Sequence, residues 1–213
     1  MNTGIKPVLS ALAAGVASML LVLGPAADAE AAAQSRSATR TSTAAAQVQE
    51  KASATDGRKL YDYRFHVKPN NARVVGVAWK PSLAISELKR CFNCTFPVKG
   101  APKRYPAENQ RLDLKACASY FVCKNAPVRY HKGGIANGWY FTAEQGHFDG
   151  KGSRVYFQYY SEKDTHYLML HVRAYVTHPA VPDSLNKRFA YDAWQDFSHN
   201  MGVKLWCTSY GSC

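Results

Sequence analysis

A chain of 213 residues with 46% hydrophobic and 12% aromatic residues can build a hydrophobic core, and its formal net charge of +12 excludes a neutral or acidic surface overall. Residues 1–57 hold four basic and four acidic residues, whereas residues 58–213 hold 23 and 11, so the whole excess lies in the second segment. This imbalance favours an anionic partner, which can be a nucleic acid, a wall polymer, a lipid headgroup or an acidic protein.

The N-terminus has the pattern of a secretory signal peptide. Lys6 precedes the apolar run 8–24, and small residues follow at Ala27 and Ala29. The run is short for a membrane-spanning helix, and the Ala-x-Ala site predicts cleavage. We therefore expect residues 1–29 to be removed and the protein to be secreted to the extracellular space.

The segment from residue 30 to residue 57 has the composition of a chain that does not fold alone. It consists mostly of Ala, Ser, Thr, Gln and charged residues, with no aromatic residue and with Val48 as its one β-branched aliphatic residue. Such a segment buries too little apolar surface to offset the entropy lost on ordering. We interpret it as a flexible tail or a propeptide, and residues 58–213 as a single basic, disulfide-bonded domain.

The predicted domain contains six cysteines, which are Cys91, Cys94, Cys117, Cys123, Cys207 and Cys213. An even set in a secreted chain predicts three disulfides. We expect Cys207 to pair with Cys213, and the first two cysteines to pair with the middle two in some order. The alternative is a zinc half-site at Cys91-x-x-Cys94, but the spacing of Cys117 and Cys123 is loose for a second half. We therefore predict no bound metal and no cofactor.

The first predicted elements are a hairpin and a short helix. Residues 60–67 and 72–79 are both rich in β-forming residues, and the intervening Lys-Pro-Asn-Asn is a turn sequence. A helix is predicted over residues 81–90, where Pro and Ser precede apolar residues and Lys-Arg closes the last turn. A loop with the basic run 99–104 follows.

A second group of strands centres on residues 152–177. Residues 111–123 alternate like a strand, although their Ala, Lys and Leu content also suits a helix; we favour the strand. Residues 139–143 form a short strand. Residues 152–177 contain two β-rich runs around Ser-Glu-Lys-Asp-Thr, which is a hairpin pattern.

The C-terminal part predicts one long helix over residues 183–201. Its apolar residues recur at every fourth position, at Leu185, Phe189, Ala193, Phe197 and Met201. Gly202 would end this helix, and residues 203–207 would form a last strand. The predicted class is α+β: a mainly antiparallel sheet of hairpins with one long amphipathic C-terminal helix packed on it.

The central hairpin predicts the candidate binding surface. Side chains alternate between the two faces of a strand, so one face of the hairpin is apolar and the other is aromatic, basic and polar. The residues of this second face are Arg154, Tyr156, Gln158, Tyr160, Tyr167, His171, Arg173 and Tyr175. Such a face can simply be solvated or covered by a helix, but Tyr and Arg are also enriched at binding hot spots.

The sequence contains no metalloprotease, nucleophile-elbow or phosphate-loop signature. The best candidate set is Glu144, His147, His171 and Arg173, which could supply the base, the acid and the cation of a secreted ribonuclease. That set requires the turn with His147 to fold over the polar face of the hairpin.

We therefore expect a secreted, non-catalytic interaction module, such as an adaptor, an inhibitor or a binding protein. Its predicted partner is another extracellular protein, with an anionic surface polymer or nucleic acid as the alternative partner. No stable membrane insertion is expected after signal cleavage. The alternative function is a histidine-dependent ribonuclease-like toxin.

Overall fold

The computed structural model describes residues 57–69, 73–117 and 123–211. The predicted signal peptide and all of the predicted tail except Gly57 lie outside these residues. The strands are β1 (Arg58–His66), β2 (Arg111–Cys117), β3 (Cys123–His131), β4 (Gly138–Ala143), β5 (Arg154–Ser161) and β6 (Leu168–Val176); the helices are α1 (Pro81–Arg90) and α2 (Asp183–Tyr210), and a 3₁₀ turn covers Phe92–Cys94.

The six strands form one antiparallel sheet in the order β1-β6-β5-β4-β3-β2. Residues of α1 and α2 join one face of this sheet in a single buried cluster. We call this face the inner face and the opposite one the outer face. The predicted α+β class, an antiparallel sheet with a long C-terminal helix, is confirmed.

Large aromatic side chains fill the middle of the inner face. Trp139, Phe157 and Phe197 are each 0% exposed. The ring of Trp139 stacks on that of Phe157 at 5.0 Å, and Phe197 of α2 lies 6.2 Å from Phe157. These contacts fix α2 against the middle of the sheet.

The predicted N-terminal hairpin is wrong. Residues 73–80 form no strand, and β1 pairs instead with β6, which lies more than 100 residues later in the chain. The segment after β1 contacts the start of β6, because the N–H of Leu168 donates to the carbonyl of Val77 at 2.8 Å. Local β propensity cannot distinguish these two partners for β1.

Strand β3 has no counterpart in the sequence-based predictions. Pro127 lies inside it, and a proline argues against a central strand because it lacks an N–H donor. The carbonyl of Pro127 accepts from the N–H of Glu144, and β4 ends at Ala143. The nitrogen of Pro127 therefore points to the β4 side at a level just beyond the end of β4. A backbone hydrogen bond from this position is not required for the pairing of β3 with β4.

Helix α2 does not end at Gly202, and no strand follows it. The helix continues to Tyr210 and ends at Gly211, which has a left-handed φ of 69°. Gly202 is buried in the helix, and a Cβ atom there would lie 2.2 Å from the backbone C and O of Lys68. This glycine permits a close approach between two segments and is not a stop signal.

The buried face of α2 also differs from the predicted one. Leu185 and Phe189 are 42% and 38% exposed, whereas Phe197 and Met201 are fully buried. Residues four positions apart are rotated by about 40° around the helix axis, because one turn contains about 3.6 residues. Over the predicted run, the stripe therefore rotates from the solvent side to the core.

The disulfides are local, which corrects the predicted pairing between the first and the middle cysteines. Cys91 bonds to Cys94 across the 3₁₀ turn, and Cys117 bonds to Cys123, with Cα atoms 5.4 and 3.9 Å apart. Cys117 and Cys123 are opposite each other in the β2–β3 register. Cys207 is also disulfide-bonded, and Cys213 lies outside the described residues. The sulfurs of Cys91 and Cys94 are therefore not available as zinc ligands.

Candidate binding face on the outer side of the sheet

The strand register brings the predicted hairpin residues together with residues of three other strands on the outer face. Tyr156 of β5 lies opposite Tyr140 of β4 and Arg173 of β6. Tyr140 in turn lies opposite His131 of β3. Arg173 lies opposite Asp62 of β1. One continuous row therefore crosses the sheet at right angles to its strands.

The side chains of this row stack on one another. The rings of His131 and Tyr140 are 4.7 Å apart and nearly parallel, and those of Tyr140 and Tyr156 are 5.1 Å apart. The guanidinium carbon of Arg173 lies 5.6 Å from the ring centre of Tyr156. We call these four residues the ring stack. Because these spacings match the distance between strands, the ring faces contact each other and the ring edges point away from the sheet.

A carboxylate lies at each end of the ring stack. Glu108 accepts from Nδ1 of His131 at 3.1 Å and from the N–H of Lys132 at 2.7 Å. The N–H of Lys132 is the main reason that the pKa of Glu108 lies below its usual value, with His131 adding to it. Asp62 lies at the opposite end, next to Arg173 in the register. Glu108 therefore holds the His131 end of the stack, and Asp62 lies beside the Arg173 end.

Asp62 also organises the β1 side of the outer face. Its Oδ1 lies 2.7 Å from Nε2 of His171 and 3.5 Å from a guanidinium nitrogen of Arg64, and Lys59 lies 3.7 Å from Oδ2. Partial burial alone would raise the pKa of Asp62, but His171 and the two cations outweigh it and hold the pKa below its usual value. Asp62 is therefore an ionised acceptor.

The pKa of His171 lies below its usual value in this arrangement. Burial lowers its pKa, and the charges of Arg64 and Arg173 lower it further, against the raising effect of Asp62. An ionised carboxylate can only accept, so Nε2 of His171 carries the proton of this hydrogen bond. His171 is thus held as a structural donor beside the ring stack.

The predicted binding residue Tyr167 is not part of the ring stack. Its ring lies against Gly76, where a Cβ atom would be 2.3 Å away, and makes an edge contact with His66 at 5.9 Å. Nδ1 of His66 lies 2.9 Å from the carbonyl of Val75. The segment around Gly76 therefore crosses one end of the outer face and covers Tyr167 there.

The other predicted binding residues lie on the open part of the outer face. Tyr175 makes an edge contact with Tyr156 at 5.9 Å, and Tyr160 lies 6.3 Å from His171. Nε2 of Gln158 donates to the carbonyl of Ala136 at 3.4 Å. The basic loop at residues 99–104 begins beside β2, where the carbonyl of Lys99 accepts from Lys115, and so lies at an edge of the sheet.

The candidate catalytic residues are not assembled into one site. Glu144 pairs with Arg129 at 2.7 Å, and this hydrogen bond lowers its pKa. Thr142 lies opposite Arg154, which lies opposite Tyr175, so Glu144 is level with a position about six residues from His171 along β6. At about 3.3 Å per residue, this separates Glu144 from His171 by about 20 Å along the strands. Glu144 therefore cannot act together with His171 on one reacting group.

His147 belongs to a separate, buried turn. Its Nδ1 accepts from the N–H of Asp149 at 3.0 Å, and its ring stacks on Phe148. Burial lowers the pKa of His147 to about 4 and raises that of Asp149 to about 6. Asp149 accepts from Asn186 of α2 at 2.5 Å, so the turn is held on the helix side and does not fold over the outer face.

Sequence reasoning missed His131, Tyr140, Asp62 and Arg64. The alternation of residues 139–143 could have placed Tyr140 on the outer side, since Trp139 and Phe141 are the apolar residues of that strand. The other three required the register of β1 and β3, which no local pattern contains. Within the described ranges, no cluster of three or more His, Cys, Asp or Glu side chains suits a metal ion.

Comparisons with known proteins leave the family open. No family model matches the chain, and no curated protein matches it. A START superfamily protein from Mycobacterium smegmatis is 14% identical with a TM-score of 0.47, over 70% of this chain and 98% of that chain. A Bacillus halodurans protein solved in solution is 15% identical with a TM-score of 0.39, over 68% of this chain and 98% of that one. Neither likeness is close enough to assign a family or a function.

None of the helices in the described part of the chain has the length and apolar character needed to cross a bilayer.

Proposed function

We propose that the protein is a secreted, non-catalytic binding module that docks on another extracellular protein through its outer face. The observation that carries this proposal is the ring stack, which extends over strands β3 to β6 and presents tyrosine edges and a guanidinium on a rigid sheet. Tyr and Arg are enriched among residues that dominate binding energy. Side chains already held in place lose little entropy on binding.

The orientation of the rings supports a protein partner over a single-stranded nucleic acid. Nucleic-acid bases bind such sheets by stacking on exposed aromatic faces. Both faces of the Tyr140 ring are occupied, by His131 on one side and by Tyr156 on the other. Edges and hydroxyl groups remain, and these suit the mixed polar and apolar contacts of a protein interface.

Secretion is supported by the sequence pattern of the N-terminus and by the cysteines. Cys91–Cys94 and Cys117–Cys123 are disulfides, and such bonds persist in oxidising compartments.

A pull-down from culture fluid tests the proposal. The full-length chain with a C-terminal tag is compared with Tyr156→Ala/Arg173→Ala, which disrupts the ring stack. Lys163→Ala, in the exposed turn between β5 and β6, is the control for loss of one surface charge. We expect a defined partner to be recovered by the wild type and by the control and to be lost from the double variant. Identical recovery by all three proteins would rule out the outer face as the docking surface.

A further inference from the structure

Arg154 is a partly buried basic residue of the outer face, and it has no acid partner among the described residues. Its guanidinium carbon lies 6.0 Å from the ring centre of Tyr140. Its Nε atom is buried, and no hydrogen-bond acceptor for it is found in the described part of the chain. No ion pair is formed by Arg154 within the described residues. Burying part of a guanidinium costs free energy unless an acceptor pairs with its N–H groups.

Four cations of the outer face are already paired with carboxylates of the chain itself. Arg111 pairs with Asp113 at 3.0 Å, and Arg129 pairs with Glu144 at 2.7 Å. On the β1 side, Asp62 pairs with both Lys59 and Arg64. The outer face is therefore not a continuous track of free cations that would follow a polyanion.

We propose that Arg154 is an anchor for one carboxylate of the partner, so that the outer face binds an acidic peptide segment. This inference rests on the proposed function and specifies the chemistry of its partner. A carboxylate can accept two N–H donors of a guanidinium at once, which gives both strength and direction. Thr142 and Tyr175 lie opposite Arg154 on the two neighbouring strands.

An acidic peptide fits these features better than an anionic polymer does. A polymer gains affinity by displacing counterions from many contacts, which requires many unpaired cations. Here the intramolecular carboxylates oppose that gain, and both faces of the Tyr140 ring are already occupied. A single charge-assisted contact surrounded by tyrosine edges is the pattern of a protein interface with one charged anchor.

The experiment uses fluorescein-labelled oligoglutamate as the probe and anisotropy as the readout, with the full-length chain. Oligoglutamine of the same length is the uncharged control peptide, and oligouridylate is the nucleic-acid probe. Arg154→Gln removes the anchor. Arg111→Gln is the matched control, because it makes the same charge change on the same face at a residue that is already paired.

We expect oligoglutamate to bind the wild type and Arg111→Gln with affinities within about twofold, and Arg154→Gln to bind about tenfold more weakly or worse. Arg154→Lys keeps the charge without the paired donors, and we expect an intermediate loss. If Arg154→Gln has a lowered thermal midpoint, the oligoglutamate affinity of Arg154→Lys is compared with that of the wild type instead.

Three results would overturn the inference. One is equal affinity of oligoglutamate for Arg154→Gln and Arg111→Gln, and another is no binding of oligoglutamate. The third is binding of oligouridylate in preference to oligoglutamate, which would indicate a nucleic acid. Recovery of a partner that depends on Tyr156 and Arg173 in the pull-down would then leave the proposed function intact.

Discussion

Gly202→Ala is expected to destabilise the protein, although the same change normally stabilises a helix. In an unhindered helix interior, alanine is favoured over glycine by about 1 kcal/mol. At position 202, the new Cβ would lie 2.2 Å from the backbone C and O of Lys68 and 2.6 Å from its N. Ordinary contacts begin at 3.4 Å, so α2 and the segment after β1 must separate by about 1 Å.

That separation affects buried neighbours on both sides. Val67, which precedes Lys68, and Met201, which precedes Gly202, are each 0% exposed. Overpacking of a well-packed site costs about 1–3 kcal/mol. Because the clash involves backbone atoms that no rotamer change can move, we take the upper part of this range. After the propensity gain is subtracted, the free energy of unfolding should fall by about 2 kcal/mol, which lowers Tm by about 4–8 °C in a domain of this size.

Urea and thermal unfolding followed by circular dichroism measure this change. Val203→Ala, at the neighbouring and 38% exposed position, is the control, and its unfolding free energy should stay within about 0.5 kcal/mol of the wild type. A Gly202→Ala variant as stable as the wild type, or more stable, would show that helix propensity decides at this position and that the close approach to Lys68 is not a constraint.

Three further predictions concern ionisation, aromatic stacking and oxidation. The pKa of His147 is about 4 in the folded state, below its unfolded value of 6.5, so the stability that His147 contributes is lost as pH falls from 6.5 towards 4. The pKa of Asp149 is about 6 in the folded state, above its unfolded value of 3.8, so the stability that Asp149 contributes is lost as pH rises from 3.8 towards 6. His147→Gln should therefore become less stable, relative to the wild type, as pH rises from 4 to 6, and Asp149→Asn should show the opposite slope; parallel pH profiles in urea unfolding would contradict both assignments. A double-mutant cycle of Tyr140→Ala and Tyr156→Ala should give a coupling energy of about 0.5–1.5 kcal/mol, and additive effects would mean that the two rings do not stabilise each other. The intact mass of the native protein should be lower than that of the fully reduced protein by one hydrogen for each of the chain's six cysteines, and any reaction with a thiol reagent under denaturing conditions would refute three disulfides.

The sequence determined the parts of the fold in which one periodicity dominates. In β5 and β6, strict alternation separated Phe157 and Val172 from Tyr156 and Arg173, and the structure keeps this separation. Charge and cysteine content likewise follow from composition alone. The local pattern was sufficient here because burial of one strand face requires a period of two, whatever the partner strand is.

Tertiary structure decided what depends on partners distant in sequence. The pairing of β1 with β6 brought Asp62 to His171 and Arg173, and no local pattern specifies that register. Glycine is a residue type that often ends a helix, yet the role of Gly202 follows from the backbone of Lys68, which lies against α2. Local propensity amounts to tenths of a kcal/mol per residue, whereas a backbone clash or a buried packing contact amounts to about 1–3 kcal/mol. Where the two disagree, the packing of distant segments determines both the fold and the surface that it presents.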